Sequence, residues 1–208
     1  MAAFDRTRLR GVERRLLLGA LCPVMAVAGC GASRSTTTTI HSESARTASQ
    51  PVPAASIDVS IPTVLREGEN YIPKRYTCDG ADISLSVRWS RIPPGTAELV
   101  MFVLNLQPVH GHLFFDWAIA GLNASSHAIF AGTLPTGVIV GRNSFGTVGY
   151  SICPAKGAGE EHYVVRLVAL PHRLAVRTGF DAEALYREAE RSASVVGLTG
   201  GVYKPPRA

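Results

Sequence analysis

From residue 57 onward the apolar positions recur on the short period of β-strands. "IDVSIP", starting at Ile57, alternates apolar and polar residues. "TAELVMFVLNL", from Thr96 to Leu106, is almost continuously apolar, and "LFFDWAIAGL" follows it closely. A long Gly-, Pro- and Ser-rich passage then leads to "YVVRLVAL", from Tyr163 to Leu170. Their lengths and their Val, Ile and Phe content predict strands. One segment changes period. In "TGFDAEALYREAERSASV", Ala182, Leu185, Ala189 and Val196 form an apolar stripe, while Glu183, Arg187, Glu188, Glu190 and Arg191 face water. Thr178 and Asp181 fit a capping box at its start. "VVGLTGGVY" predicts a closing strand. Many strands with a single late helix predict a mainly β chain, an antiparallel sandwich rather than alternating βα units.

The first residues follow a different pattern. Arg6, Arg8, Arg10, Arg14 and Arg15 stand against Asp5 and Glu13, and an apolar run continues from Leu16 to Gly29. That run is short for a membrane-spanning helix and has the charged-then-apolar order of an export signal. It ends in Val27-Ala28-Gly29-Cys30, which resembles the lipobox of bacterial lipoproteins, where the cysteine is acylated and the signal is cut before it. Residues 1–29 are therefore expected to be a lipoprotein signal peptide. Residues 30–55, rich in Ser, Thr, Ala and Pro, are expected to be a disordered tether. Residues 56–208 form the folded domain. The expected location is the extracytoplasmic face of the cell membrane, with Cys30 as the lipid-bearing residue.

Cleavage alters the charge picture. The formal net charge is +5, and the leader's five arginines less its two acids account for +3 of it. The remaining +2 is no electrostatic footprint for nucleic acid, so no nucleic-acid partner is expected. Of four cysteines, Cys22 leaves with the signal and Cys30 carries lipid. Cys78 and Cys153 remain, either bridged, which would stabilise by about 4 kcal/mol in the chain-entropy model, or as two buried thiols. Zinc-ribbon spacings are absent.

Several stretches in order, "GENYIPKRYTCDGADIS", "VRWSRIPPGTAELVMFVLN", "FDWAIAGL", "GRNSFGTVGY" and "HYVVRLVAL", together resemble the phosphatidylethanolamine-binding proteins, in particular the bacterial Raf kinase inhibitor-like branch. The resemblance covers residues 57–204. It implies a sandwich of two antiparallel sheets with a small pocket at one end that accepts phosphate-like or lipid head groups. The family pocket carries an Asp-Pro-Asp-x-Pro stretch, a His before a Trp, a Gly-Tyr followed by a Gly-Pro-rich loop, and a second His opening a late strand. At those places this chain has Asn105 and Gln107 for the two aspartates, Asp116 for the first histidine, Gly149-Tyr150 retained, and Glu161 for the second histidine with His162 beside it.

The expected ligand-binding set is thus Asn105, Gln107, Asp116, Tyr150 and Glu161. If the strand alternates strictly, Leu113, Phe115, Trp117 and Ile119 share one face and Asp116 points from the other into the pocket. Two carboxylates and two imidazoles have become two carboxamides and two carboxylates. The group that can carry positive charge near neutral pH is gone. Ionised Asp116 and Glu161 can only accept hydrogen bonds, and beside a phosphate they would repel it. Weak phosphate binding and a preference for a neutral or amine-bearing ligand follow.

Other motifs carry less. His110 and His112 lack further ligands for zinc, and no metal or cofactor is expected. Ser84, Ser86 and Ser144 sit in no nucleophile elbow, and Gly141 to Gly149 has no phosphate-loop signature. The functional expectation is a non-enzymatic, lipid-anchored module binding a small head-group-like ligand. The alternative is a regulatory or inhibitory module that binds a protein partner and carries a vestigial pocket. A hydrolase using Asp116 and Glu161 comes third.

Overall fold

A computed structural model describes residues 56–66, 68–109 and 111–206. The expected signal peptide, Cys30, the tether and His110 lie outside the described residues. Strand β1 (Asp58–Ser60) is followed by β2 (Val64–Arg66), β3 (Glu69–Tyr71), β4 (Val87–Ser90), β5 (Glu98–Val109), β6 (His112–Leu122), β7 (Ala128–Ile129), β8 (Ile139–Val140) and β9 (Glu161–Leu170). Helix α1 (Ala182–Ser192) and strand β10 (Val195–Tyr203) complete the order. The small sheet runs β1-β4-β7, and the large one runs β2-β3-β10-β9-β5-β6-β8. Pairing is antiparallel except between β10 and β3, which are parallel.

Strand β5 occupies the interior of the large sheet and is apolar on both faces, as its sequence requires. Leu99, Met101 and Val103 face the small sheet and pack with Leu85, Val87 and Ile129. Val100, Phe102 and Leu104 face the helix side with Leu185 and Ala189 of α1. Each fully buried side chain of this size contributes about 1.5–3 kcal/mol. Across the helix side, Phe102 and Phe115 both meet the Tyr186 ring edge-on, at 5.2 and 5.4 Å. Arg166 of β9 ties the helix down with two hydrogen bonds to Glu190, of 2.8 and 2.7 Å.

Three details correct the sequence reading. Helix α1 begins at Ala182, and its N-cap is Asp181, whose carboxylate accepts from the Ala184 N–H at 2.7 Å. Thr178 therefore does not cap it; an Asp at the cap satisfies an orphan N–H of the first turn by itself. Val196 belongs to β10 rather than to the helical stripe. Strict alternation along β6 also fails. Val103 pairs with Trp117, but Leu104 pairs with Phe115. Asp116 is the extra residue of a β-bulge, two residues facing one. Phe115 accordingly packs on the helix side, while Trp117 and Ile119 pack between the sheets.

Candidate ligand-binding site

The bulge determines where Asp116 goes. An unbulged strand would place residue 116 opposite Trp117; the inserted residue lets both approach the same tyrosine. The Tyr150 ring lies edge-on to Trp117 at 5.4 Å, and the Asp116 charge acts on the Tyr150 hydroxyl. The segment after Tyr150 holds the bulge in place. The Ser151 N–H donates to the Asp116 carbonyl at 3.0 Å, and the Ser151 hydroxyl donates to Asp82 Oδ2 at 2.8 Å. The Tyr150 hydroxyl donates to the Tyr76 carbonyl at 2.6 Å. Cys78 and Cys153 are joined by a disulfide, and the Cys78 N–H donates to the Ile152 carbonyl at 2.9 Å. The segment is thus fixed both covalently and through its backbone.

Glu161 opens β9. It is buried while the next residue, His162, is exposed, so the strand's alternation directs Glu161 inward and His162 outward. Both of its oxygens are occupied. Oε2 accepts from Asn105 Nδ2 at 2.7 Å and from the Tyr163 hydroxyl at 2.6 Å, and Oε1 accepts from the Ala155 N–H at 3.3 Å. Asn105 is held in turn through its Oδ1, which accepts from the Gln107 N–H at 2.8 Å. Gln107 itself turns away. Its Oε1 accepts from the His162 N–H at 3.1 Å, so its side chain bridges to the backbone of β9.

Asp116 is different. Its side chain is 0% exposed, and neither carboxylate oxygen has a hydrogen-bond partner of good geometry, the peptide N–H groups of Cys153 and Asn105 acting on it only weakly. Burial, then the Glu161 charge, pushes the carboxyl well above the usual carboxylate range, and Asp82 adds to this. The peptide groups of Cys153 and Asn105 counteract the shift only in part. Asp82, at a positive φ of 47°, has a buried Oδ1 that also lacks a partner. Burial and the surrounding acids likewise raise the Tyr150 and Tyr163 hydroxyls far above their ordinary value. They are neutral hydrogen-bonding groups at any ordinary pH.

Of the five residues expected from the sequence, Asn105, Asp116, Tyr150 and Glu161 converge at one end of the sandwich, and Gln107 lies beside them. The open pocket expected at Asp116 is closed. Asp82, Tyr163 and Ser151 were not anticipated. Asp82 lies within "TCDGADIS", where nothing in the residue pattern separates it from a turn aspartate. A surface cleft of about 430 Å³ lies elsewhere, between Val64, Tyr71, Pro73, Lys74, Tyr203 and Lys204. Among the described residues no group of three or more His, Cys, Asp or Glu is placed to hold a metal ion. No described helix is long and apolar enough to cross a membrane.

The sequence profile described as phosphatidylethanolamine-binding protein matches residues 65–203. A UPF0098 protein from Aquifex aeolicus is 34% identical over 110 residues, covering 50% of this chain and 63% of that protein. The match thus spans just under two thirds of that relative's length. A UPF0098 protein from Methanothermobacter thermautotrophicus is 31% identical over 137 residues, 61% of this chain and 89% of the relative. Among solved structures, E. coli YbcL, described as a new member of the mammalian PEBP family, superposes with a TM-score of 0.65. It is 24% identical over 73% of this chain and 100% of its own. At that identity the likeness concerns the fold.

Proposed function

The chain belongs to the phosphatidylethanolamine-binding protein family, and from that premise we propose that it is a lipid-anchored, extracytoplasmic binding module. It takes a small head-group-like ligand at the Asp116 end of the sandwich and catalyses no reaction. The observation that carries the reading is the pair of buried, unpartnered carboxylate oxygens on Asp116. Native interiors rarely leave such groups unmet unless a ligand or an ordered water completes them. The Val27-Ala28-Gly29-Cys30 tetrad and the Arg-rich, apolar leader support the anchor. The Ser- and Thr-rich stretch up to residue 55 supports a tether that holds the domain off the membrane surface.

Thermal unfolding of the full chain with phosphate, phosphoethanolamine, glycerol phosphate and small amines tests the binding role. A saturable rise in Tm with at least one of them, lost in Asp116→Asn, is the expected result. No shift with any of them overturns it. Metabolic labelling with a fatty acid tests the anchor, since Cys30→Ser abolishes incorporation if Cys30 is the acylated residue.

A second reading is favoured by one observation, the complete burial of Asp116. In it the pocket is vestigial and the sandwich surface binds a regulatory partner. Asp116→Asn then stabilises the chain and alters no binding.

A further inference from the structure

We propose that the cleft of about 430 Å³ between Val64, Tyr71, Pro73, Lys74, Tyr203 and Lys204 binds a small amphipathic carboxylate, an apolar body with one singly charged head. The cleft lies at β2, β3 and the end of β10, and β9 and β5 separate β10 from β6 in the large sheet. It is therefore independent of any ligand at Asp116.

The walls are fixed before a ligand arrives. Strand β3 meets β10 in their parallel pairing, with Val202 opposite Tyr71, and the Ile72 N–H donates to the Val202 carbonyl at 2.7 Å. Gly201 permits that approach, since a Cβ there would lie 2.9 Å from Ile72 Cγ1 and 3.2 Å from the Asn70 carbonyl oxygen. Lys74 opens a single 3-10 turn, Lys74–Tyr76. Its carbonyl accepts from both the N–H and the hydroxyl of Thr77, at 3.0 and 2.9 Å. After Lys204, Pro205 and Pro206 complete the lining, and their rings restrict the backbone there. A preformed, mainly apolar cleft of about 300–1,000 Å³ is the usual form of a small-molecule site.

The polar groups of the lining decide the sign of the ligand. Tyr71 and Tyr203 offer their rings, because their hydroxyls are engaged by acids. Tyr71 donates to Glu160 at 2.7 Å, with Glu69 at 3.4 Å from the same hydroxyl, and Tyr203 donates to Asp79 at 2.8 Å. Lys74 and Lys204 are exposed, and among the described residues neither takes part in an ion pair. The lining contains no acid. It thus presents two ammoniums, each with donors and no acceptor, and they complement an anion.

Magnitudes divide the work between walls and lysines. An exposed lysine contributes little to binding by charge alone, so the apolar walls supply most of the affinity and the ammoniums select the head. Glu160, Glu69 and Asp79 border the cleft through the tyrosines. They favour a singly charged head, because the second charge of a dianion would meet like charges there.

Calorimetric titration of the full chain with octanoate, octylammonium, acetate and octyl phosphate tests this at about pH 8, where the phosphate monoester is a dianion. The expected result is binding of octanoate, weaker binding of octyl phosphate, and none of octylammonium or acetate. Hexanoate, two methylenes shorter, should bind about tenfold more weakly than octanoate. Lys74→Gln and Lys204→Gln together should weaken octanoate by about five- to tenfold. Val64→Asp, at a position 45% exposed, places an acid in the lining and should weaken it at least as much. Amide chemical shifts that move with octanoate should centre on Tyr71, Lys74, Tyr203 and Lys204. Octylammonium or octyl phosphate binding as tightly as octanoate overturns the proposal. So do shifts centred on Tyr150 and Ser151, affinity indifferent to all three substitutions, or no binding of octanoate. None of these outcomes bears on the Asp116 reading, which the Tm screen tests separately.

Discussion

Three register shifts interrupt the ladder between β5 and β6; in two of them the extra residue lies on β6, and each of those two sits beside a buried acid. At the far end, the register shifts between Leu99 and Met101, next to Gly121, whose φ is 79°. There Glu98, 3% exposed, is fully engaged. One oxygen accepts from the Gly121 N–H at 2.7 Å and the other from the Leu174 N–H at 2.8 Å. A side chain at 121 would meet the Gly137 carbonyl oxygen at 2.8 Å, so the glycine is needed for both its φ and its space. At the near end, Asp116 is the inserted residue itself, equally buried and without partners. One acid joins a bulge to a neighbouring loop; the other is surrounded by acids and covered by a disulfide-linked segment. Equal burial with opposite satisfaction separates a carboxylate that ties the fold together from one whose oxygens the fold leaves unused.

The sharpest way to test this contrast is to release the near end. Replacing Cys78 and Cys153 by serine opens a loop of sequence separation 75 and should cost about 4 kcal/mol, read by urea denaturation. A cost close to zero would mean that the near end holds itself together without the clamp. Next in size is Glu98→Ala, which strands two N–H groups and should cost about 3 kcal/mol in the same assay. Glu98→Gln should recover part of this, because its one carbonyl oxygen can still accept.

Asp116→Asn should behave in the opposite sense to Glu98→Ala. The raised Asp116 value means that the folded chain binds a proton the unfolded chain has lost, between the unfolded value of about 3.9 and the raised folded one. That stabilisation is fully present below the lower value and declines as pH rises through the window, by up to about 1.4 kcal/mol per pH unit. The asparagine variant should lack this decline and be the more stable chain at neutral pH. Urea midpoints measured from pH 3 to 8 check it; parallel curves for parent and variant would remove Asp116 from the titrating set. The smallest effect is expected at Gln107, whose side chain bridges to the backbone of β9. Gln107→Ala should cost about 1 kcal/mol or less and leave ligand-induced shifts in Tm unchanged.

The strands were legible because burial on two faces requires apolar runs such as "LVMFVL", and because a helix that packs on a sheet needs the stripe of Ala182, Leu185 and Ala189. Most of the site's members were legible too, since polar residues among those runs are conspicuous; Asp116 before Trp117 is the clearest case. Their grouping was not. Asp82 reaches the site through a turn with positive φ, and Ser151 through a segment fastened by the disulfide, and neither position differs in composition from surface loops elsewhere in the chain.

The sequence alone determined a mainly β domain with one late helix, an acid where an imidazole is expected, and the loss of positive charge from that end of the molecule. Only the tertiary structure decided that Asp116 is a bulge residue, that Glu161 rather than His162 turns inward, and that Gln107 stays outside. The physical reason is that strand periodicity is local, whereas a bulge is a mismatch between two strands. It exists only once β5 and β6 are paired, and that pairing decides which face every residue before it presents.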